Sequence, residues 1–289
     1  MANNGRGKTI GTMLDDLVPR LEKTSDTPGL DAQVLLAHVL GKPRAWVLAH
    51  PEIPLTQNRA ARLEALLACL ESGQPLPYVL GHWEFFGLDF EVTPQVLIPR
   101  PETELLVERA VDWLKARPGQ RQAVDVGTGS GCIAISLAVN LPDLRITATD
   151  VSPQAVEVAR HNAERLHVAD RVKFLEVDLF PDPLLPESFD LIVANLPYIP
   201  TPTLHTLPIY QHEPVLALDG GADGLVLVRK LITQAPNLLA PGGLLLMEIE
   251  SSQGPAALSI AYDAFSEAEI HLHKDLAGRD RLLEVQLGP

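Results

Sequence analysis

Cysteine is scarce in this sequence, with Cys69 and Cys132 as the only two, and neither has a partner at ligand spacing. A disulfide framework and a cysteine-based zinc site are thereby excluded, and both residues are expected as small core side chains. No apolar run approaches the roughly 18 residues of a membrane span, and residues 1–9 lack the apolar stretch of a signal peptide. A cytoplasmic protein is expected. Basic residues are in the minority, 23 Lys and Arg against 37 Asp and Glu, for a formal net charge of -14. Residues 91–289 hold 15 basic and 27 acidic groups, which puts -12 of that charge in the C-terminal part. Non-specific attraction to nucleic acid needs a basic surface, so this balance disfavours DNA or RNA and favours a protein or small-molecule substrate. Gly7-Lys8-Thr9 lacks both the earlier glycine and the preceding strand of a phosphate loop, and reads as a mobile tail.

The chain does have apolar content, 46% over 289 residues, enough for about two domains with real cores. Residues 12–72 read as helical throughout. Leu14, Leu17, Val18 and Leu21 form one stripe; Val34, Leu35, Val39 and Leu40 a second, ended by Gly41; Leu63, Leu66, Leu67 and Leu70 a third, ended near Gly73. Pro19 should kink or shorten the first helix. From His82 to Val92 the pattern changes to aromatic and branched residues around Gly87, which predicts two short strands and a turn. The domain boundary is expected near residue 90, giving a helical domain over 1–90 with the hairpin near its end and a second domain over 91–289.

In the second domain a proline-containing connector, residues 96–104, leads into an apolar helix face of Leu105, Leu106, Val107, Ala110, Val111 and Leu114. Strands and helices then alternate, the signature of an α/β domain with a mostly parallel sheet. Strands are expected at 122–126, 145–149, 172–176, 189–194, 243–249, 268–273 and 281–287. Residues 274–280 are too few for a parallel crossover, so the last two strands should pair antiparallel.

Three successive strand ends carry ligand chemistry. Ala123-Val124-Asp125-Val126 runs into Gly127-Thr128-Gly129-Ser130-Gly131 and then an apolar helix from Cys132 to Val139. Glycines there let a ligand approach the free amides of a helix start. The spacing is G-x-G-x-G rather than the dinucleotide G-x-G-x-x-G, whose third glycine would fall at Cys132, so nicotinamide binding loses ground. Asp150 ends the second strand, where a carboxylate can accept from both hydroxyls of a ribose; capping the helix near Ser152-Pro153 is its structural alternative. Asp178-Leu179 ends the third, where Asp178 could accept from an adenine amino group and Leu179 cover the ring; a solvated Asp beside a core Leu is the alternative.

The fourth end, after Phe189-Asp190-Leu191-Ile192-Val193-Ala194, is Asn195-Leu196-Pro197-Tyr198. Asn offers a side-chain acceptor, the next residue a backbone carbonyl, Pro a stiff turn and Tyr a flat face. Taken alone the tetrad is also compatible with a plain strand exit. Beside the first three strand ends it reads as a methyl-transfer site gripping a planar amide or amino nitrogen, since ligands in open sheets gather at the carboxyl ends of strands.

These motifs, together with Gln74-Pro75-Leu76-Pro77-Tyr78-Val79-Leu80-Gly81, Val96 through Glu104, Glu213-Pro214-Val215-Leu216-Ala217-Leu218 and Lys274-Asp275-Leu276-Ala277-Gly278-Arg279-Asp280-Arg281, make the chain closely similar to the HemK/PrmC family of glutamine-amide methyltransferases. The resemblance covers nearly the full length. It implies a Rossmann-like class I methyltransferase domain and a helical substrate-recognition domain. It further implies S-adenosylmethionine as cofactor, touched by Gly127, Thr128, Gly129, Ser130, Gly131, Asp150, Asp178, Leu179 and Asn195. The implied substrate is the glutamine in the GGQ motif of class I peptide chain release factors, held by Asn195, Leu196, Pro197 and Tyr198 as catalytic residues. A monomer without metal, membrane or stable nucleic acid is expected. Two positions depart from the family pattern: Leu196 stands where proline is usual, and Glu250 follows Glu248-Ile249 where glycine is usual.

An amide nitrogen is a weak nucleophile because its lone pair is shared with the carbonyl, so the site must work by positioning. On this reading Asn195 Oδ1 and the Leu196 carbonyl accept the two amide hydrogens, Tyr198 stacks on the amide plane and Pro197 fixes the loop. A nucleic-acid amino (adenine) methyltransferase is the main alternative, since such a motif also suits an exocyclic base nitrogen. A binding module for the translation machinery is another. His271 and His273 should face solvent or a neighbouring strand. His212 could line the substrate entrance, and Arg100 and Glu102 could touch cofactor or substrate or make an interdomain salt bridge.

Overall fold

The computed structural model describes residues 8–117, 119, 121–181 and 189–288. Of the expected tail Gly7-Lys8-Thr9, Gly7 lies outside them, while Lys8 and Thr9 are anchored: Leu55 N donates to Lys8 O at 2.9 Å, and Thr9 bridges to Pro54. The chain divides into two compact units, Met1–Gly81 and His82–Pro289.

The first unit is helical: α1 Ile10–Leu21, α2 Pro28–Leu40, α3 Arg44–Ala49, α4 Gln57–Glu71 and α5 Leu76–Leu80. Thr9 caps α1 by accepting from Thr12 N at 3.3 Å, and Ile10, Met13, Leu17 and Leu21 bury one stripe at helical spacing. Pro19 sits in the last turn and the helix ends two residues later, where the missing N–H matters least. Gly41 closes α2 at φ 62, the left-handed conformation glycine adopts without a Cβ penalty. Residues 12–72, expected as helical throughout in three stripes, form four helices: Pro28 opens α2, Gly41 and Pro43 separate α2 from α3, and Pro51 and Pro54 separate α3 from α4.

The second unit opens with β1 His82–Phe85 and β2 Leu88–Glu91, paired antiparallel through Phe86 and Gly87 at φ 52 and 72, a two-residue turn with both centres left-handed. This hairpin was expected with the helical domain. It falls on the other side of the division because Phe85 and Phe90 are buried in the core of the second unit and Asn162 bonds both backbone groups of Glu91. Next come α6 Glu104–Lys115, β3 Arg121–Val126, α7 Cys132–Asn140, β4 Leu144–Asp150, α8 Pro153–Arg165, β5 Val172–Glu176, β6 Phe189–Ala194, α9 Thr201–Leu204, α10 Val226–Gln234, β7 Leu239–Glu248, α11 Gly254–Ala264, β8 Glu269–Lys274 and β9 Asp280–Gln286.

The seven strands β3–β9 form one sheet in the order β5-β4-β3-β6-β7-β9-β8. The first five are parallel, and β9 runs antiparallel to both β7 and β8, as the short last connection required. Strand β7 starts at Leu239 rather than 243 because Phe189 pairs with Leu239 before a register shift. Alternate residues of the strands feed two apolar cores. Ala123, Ile146, Leu191 and Leu246 pack on the face covered by α6, α7 and α8; Val124, Val126, Ile192 and Leu245 pack on the face covered by α10 and α11. The strand order reverses between β3 and β6, so a crevice opens beyond their carboxyl ends. Among the described residues no helix is long and apolar enough to cross a membrane.

Candidate active site

The crevice is a cavity of about 510 Å³ built by the turns that leave β3, β4, β5 and β6. Gly127, Thr128, Gly129 and Ser130 line it from β3, Asp150 from β4, Asp178 and Leu179 from β5, and Asn195, Leu196 and Pro197 from β6. The connector residues Arg100 and Thr103 and the rim residues Pro214 and Leu216 complete it.

The glycine turn is held from below. Gly127 N and Thr128 N both donate to Thr149 O at 2.9 Å, and Thr128 Oγ1 donates to Asp125 Oδ2 at 2.6 Å. Asp125 is wholly buried, and burial pushes its carboxyl up to about 7 against the opposing bonds from Thr128 and the Ala134 amide. Among the described residues its Oδ1 has no partner. Gly131 is the one glycine of the turn that does not face the cavity: a β-carbon there would lie 2.7 Å from Ile135 Cδ1 and 3.1 Å from Ala159 Cβ. It lets α7 and α8 approach, which is a packing role rather than the expected ligand contact.

Asp150 accepts from Gly129 N and Ser152 N, one bond to each carboxylate oxygen at 2.9 Å. The helix cap that was its alternative role belongs to Ser152, whose hydroxyl accepts from Ala155 N. Each Asp150 oxygen keeps a lone pair for a ligand hydroxyl, and burial raises its carboxyl above the ordinary value. Asp178 is exposed and paired with Lys230 on α10. Leu179 is buried at φ 62, held by Thr149 Oγ1 donating to its carbonyl at 2.7 Å, a costly conformation for a branched side chain at a cavity wall.

Asn195 is tied by its amide nitrogen. Nδ2 donates to Thr103 Oγ1 at 3.0 Å and to Glu248 Oε2 at 3.1 Å. Thr103 in turn donates to Glu248 Oε2 at 2.6 Å. Tyr198 lies outside the cavity wall; its hydroxyl donates to Glu248 Oε1 at 3.4 Å, and burial, then the Glu248 charge, push the phenol above its ordinary range. Glu248 is 2% exposed, and burial raises its carboxyl despite the Thr103 bond. Neither Thr103 nor Glu248 was singled out as a site residue from sequence. The available signal was register: Ala194 pairs with Met247, so the next residues, Asn195 and Glu248, leave adjacent strands side by side.

Other expectations resolve locally. Arg100 pairs with Glu213, which also accepts from Ile98 N at 3.0 Å, so its ion pair lies within one unit rather than between two. Glu102 is exposed and His212 half-buried. His271 is exposed, and His273 Nε2 lies 3.0 Å from Glu284 Oε2 on the neighbouring strand. Both cysteines are half-buried, and Cys132 packs against the core of the second unit. Cys132 starts α7 at the cavity wall, and burial of the thiol pushes it up to about 12. Glu250 takes φ -74 and accepts from Ser252 N at 2.8 Å, so its turn needs no glycine.

The sheet order and the crevice at its switch point define a Rossmann-like class I methyltransferase. Among solved structures the chain is similar to a methyltransferase from Pyrococcus furiosus, at 20% identity over 81% of this chain and 100% of that one, with a TM-score of 0.51. The family model for the PrmC N-terminal domain matches residues 12–81, and that for the methyltransferase small domain matches residues 102–206. The chain is 44% identical to a release factor glutamine methyltransferase of Moorella thermoacetica over 94% of its own length and 96% of that protein's. It is 41% identical to one of Bordetella pertussis, over 94% and 98%. The chain belongs to the release factor glutamine methyltransferase family.

Proposed function

We propose that this protein transfers a methyl group from S-adenosylmethionine to the side-chain amide nitrogen of the glutamine in the GGQ motif of class I peptide chain release factors. The observation that carries this reading is that the acceptor residues Asn195, Leu196 and Pro197 line the same cavity as the glycine turn and Asp150. Family membership supports it, since the relatives are named release factor glutamine methyltransferases.

The residues suit the cofactor. The volume falls in the range of small-molecule sites, and Asp150 keeps lone pairs for a ribose diol. Gly129 has nothing within 4 Å of a would-be β-carbon, so its backbone lies open to a ligand. Asp178 and Leu179 stand at the next strand end to meet an adenine edge and face. S-adenosylmethionine, when bound, supplies an electrophilic methyl group on a sulfonium sulfur. The protein's own task is alignment. Asn195 Oδ1 and the Leu196 carbonyl accept the two amide hydrogens, which turns the nitrogen lone pair toward the methyl carbon, and these fixed dipoles favour the positive charge that develops on nitrogen. Tyr198 braces the turn from outside the cavity through Glu248. The N-terminal helical unit is proposed to recognise the release factor.

The test is incubation of the full chain with labelled cofactor and a purified class I release factor, followed by peptide mapping. Label on the GGQ glutamine supports the reading. In a parallel reaction with nucleic acid in place of the release factor, label on adenine supports the alternative.

A further inference from the structure

We infer that Glu248 is a positioning residue for methyl transfer: with Thr103 it holds Asn195 by the amide nitrogen and so fixes Asn195 Oδ1 as the acceptor offered to the substrate. The inference rests on the function proposed above and adds to it the group that sets the polarity of the acceptor.

The bonds have one direction. An Asn side chain has two N–H donors and one carbonyl acceptor, and its two ends have nearly the same shape. The Asn195 amide nitrogen faces two acceptors, Thr103 Oγ1 at 3.0 Å and Glu248 Oε2 at 3.1 Å, so the N–H end of the side chain is the one held on that side. Thr103 spends its only proton on Glu248 Oε2, which leaves a lone pair to receive Asn195. Turning the Asn195 amide over would set its oxygen against the Glu248 carboxylate and present NH2 to the cavity. Two acceptors would then face each other in a buried site, and a substrate amide nitrogen would meet donors where it needs acceptors.

The burial of Glu248 itself points the same way. An ionised carboxylate held in a dry interior is costly unless its lone pairs are met, and an apolar or neutral side chain would fill the space at lower cost. Among the described residues the side chains that bond Glu248, namely Thr103, Asn195 and Tyr198, approach as donors, and two of them belong to the Asn195 turn. A glutamine here keeps the acceptor, its carbonyl oxygen receiving Thr103 and Asn195 while its NH2 donates to the Tyr198 hydroxyl, whereas a methionine fills the space and offers Asn195 no such acceptor.

The experiment compares the full-length protein with Glu248→Met, Glu248→Gln, Thr103→Val, Asn195→Asp and the pair Asn195→Asp with Glu248→Gln, using S-adenosylmethionine and a purified class I release factor. Glu248→Met should lower kcat by about 100-fold, the scale of losing one preorganised polar contact, while calorimetry finds cofactor binding within about 2-fold of wild type, and Glu248→Gln, which keeps an acceptor for Asn195, should recover most of that loss. Thr103→Val should lower kcat by about 10-fold with the same split. In the reciprocal pair the amide introduced at position 248 can donate to the carboxylate introduced at position 195, so the double variant should turn over about 10-fold faster than the product of the two single losses predicts. Glu248→Met at wild-type kcat, or strictly multiplicative losses in the pair, would overturn the inference while a methylating wild type leaves the proposed function standing. If Glu248→Met fails to bind cofactor, Thr103→Val and the pair decide by the same criteria. A wild type that leaves the release factor unmodified overturns both.

Discussion

Leu196 fills the space on Gly127 that a β-carbon would need, with Cδ2 2.9 Å from where that carbon would stand. The contact joins the carboxyl ends of β3 and β6, the two central strands on either side of the switch point. Leu196 is 4% exposed and belongs to the same core as Val126 and Ala194. The departure from proline at this position is therefore an apolar anchor: packing against the glycine turn supplies rigidity that a proline ring would supply through its fixed φ.

Gly127→Ala should lose both stability and cofactor affinity. The residue sits at φ 75, and the new methyl group would press on Leu196. A loss of about 1–3 kcal/mol is expected in urea unfolding, with weaker cofactor binding by calorimetry. Unchanged unfolding would show that the turn relaxes freely, against the close fit described above.

Asp150→Asn should weaken cofactor binding with little effect on the fold. The carboxylate accepts from the Gly129 and Ser152 amides and has lone pairs left for a diol. An Asn keeps one acceptor but turns a donor toward a backbone N–H, so the loss is expected at about 10- to 100-fold in Kd. Calorimetry with S-adenosylmethionine measures it, and wild-type affinity would remove Asp150 from the cofactor site.

Asp125 imposes a pH dependence on stability. Its folded carboxyl is raised from 3.8 to about 7 by burial, so between those values the folded state holds a proton that the unfolded state has released. Stability from this group is present at acid pH and is lost as pH rises through about 7. An Asn side chain at this position would keep the acceptor for Thr128 and carry no charge. Relative to wild type, Asp125→Asn should gain about 2–3 kcal/mol in unfolding free energy between about pH 5 and about pH 8. A constant difference across that range would mean that Asp125 titrates as an ordinary carboxyl.

Much of this site was legible because parallel sheets collect chemistry at strand ends. The glycine turn, Asp150, Asp178 and Asn195 each follow an apolar strand run, and that pattern needs only the order of residues along the chain. Three features needed the tertiary structure. The hairpin joins the second unit because Phe85 and Phe90 find their core there, which no local pattern reveals. Gly131 looks like its neighbours in sequence, yet the approach of Ala159 on α8 gives it a packing role. Glu248 lies 53 residues beyond Asn195, and only the pairing of β6 with β7 brings the two together.

The central claim is that Asn195 aligns a glutamine amide of a release factor for methylation, and the most direct measurement maps that glutamine by mass spectrometry after reaction with wild type and with Asn195→Ala. Wild type should methylate the GGQ glutamine, and Asn195→Ala should bind S-adenosylmethionine with nearly unchanged affinity while losing at least about 100-fold in rate. Methylation at any other residue by wild type, or comparable turnover by Asn195→Ala, would contradict the account.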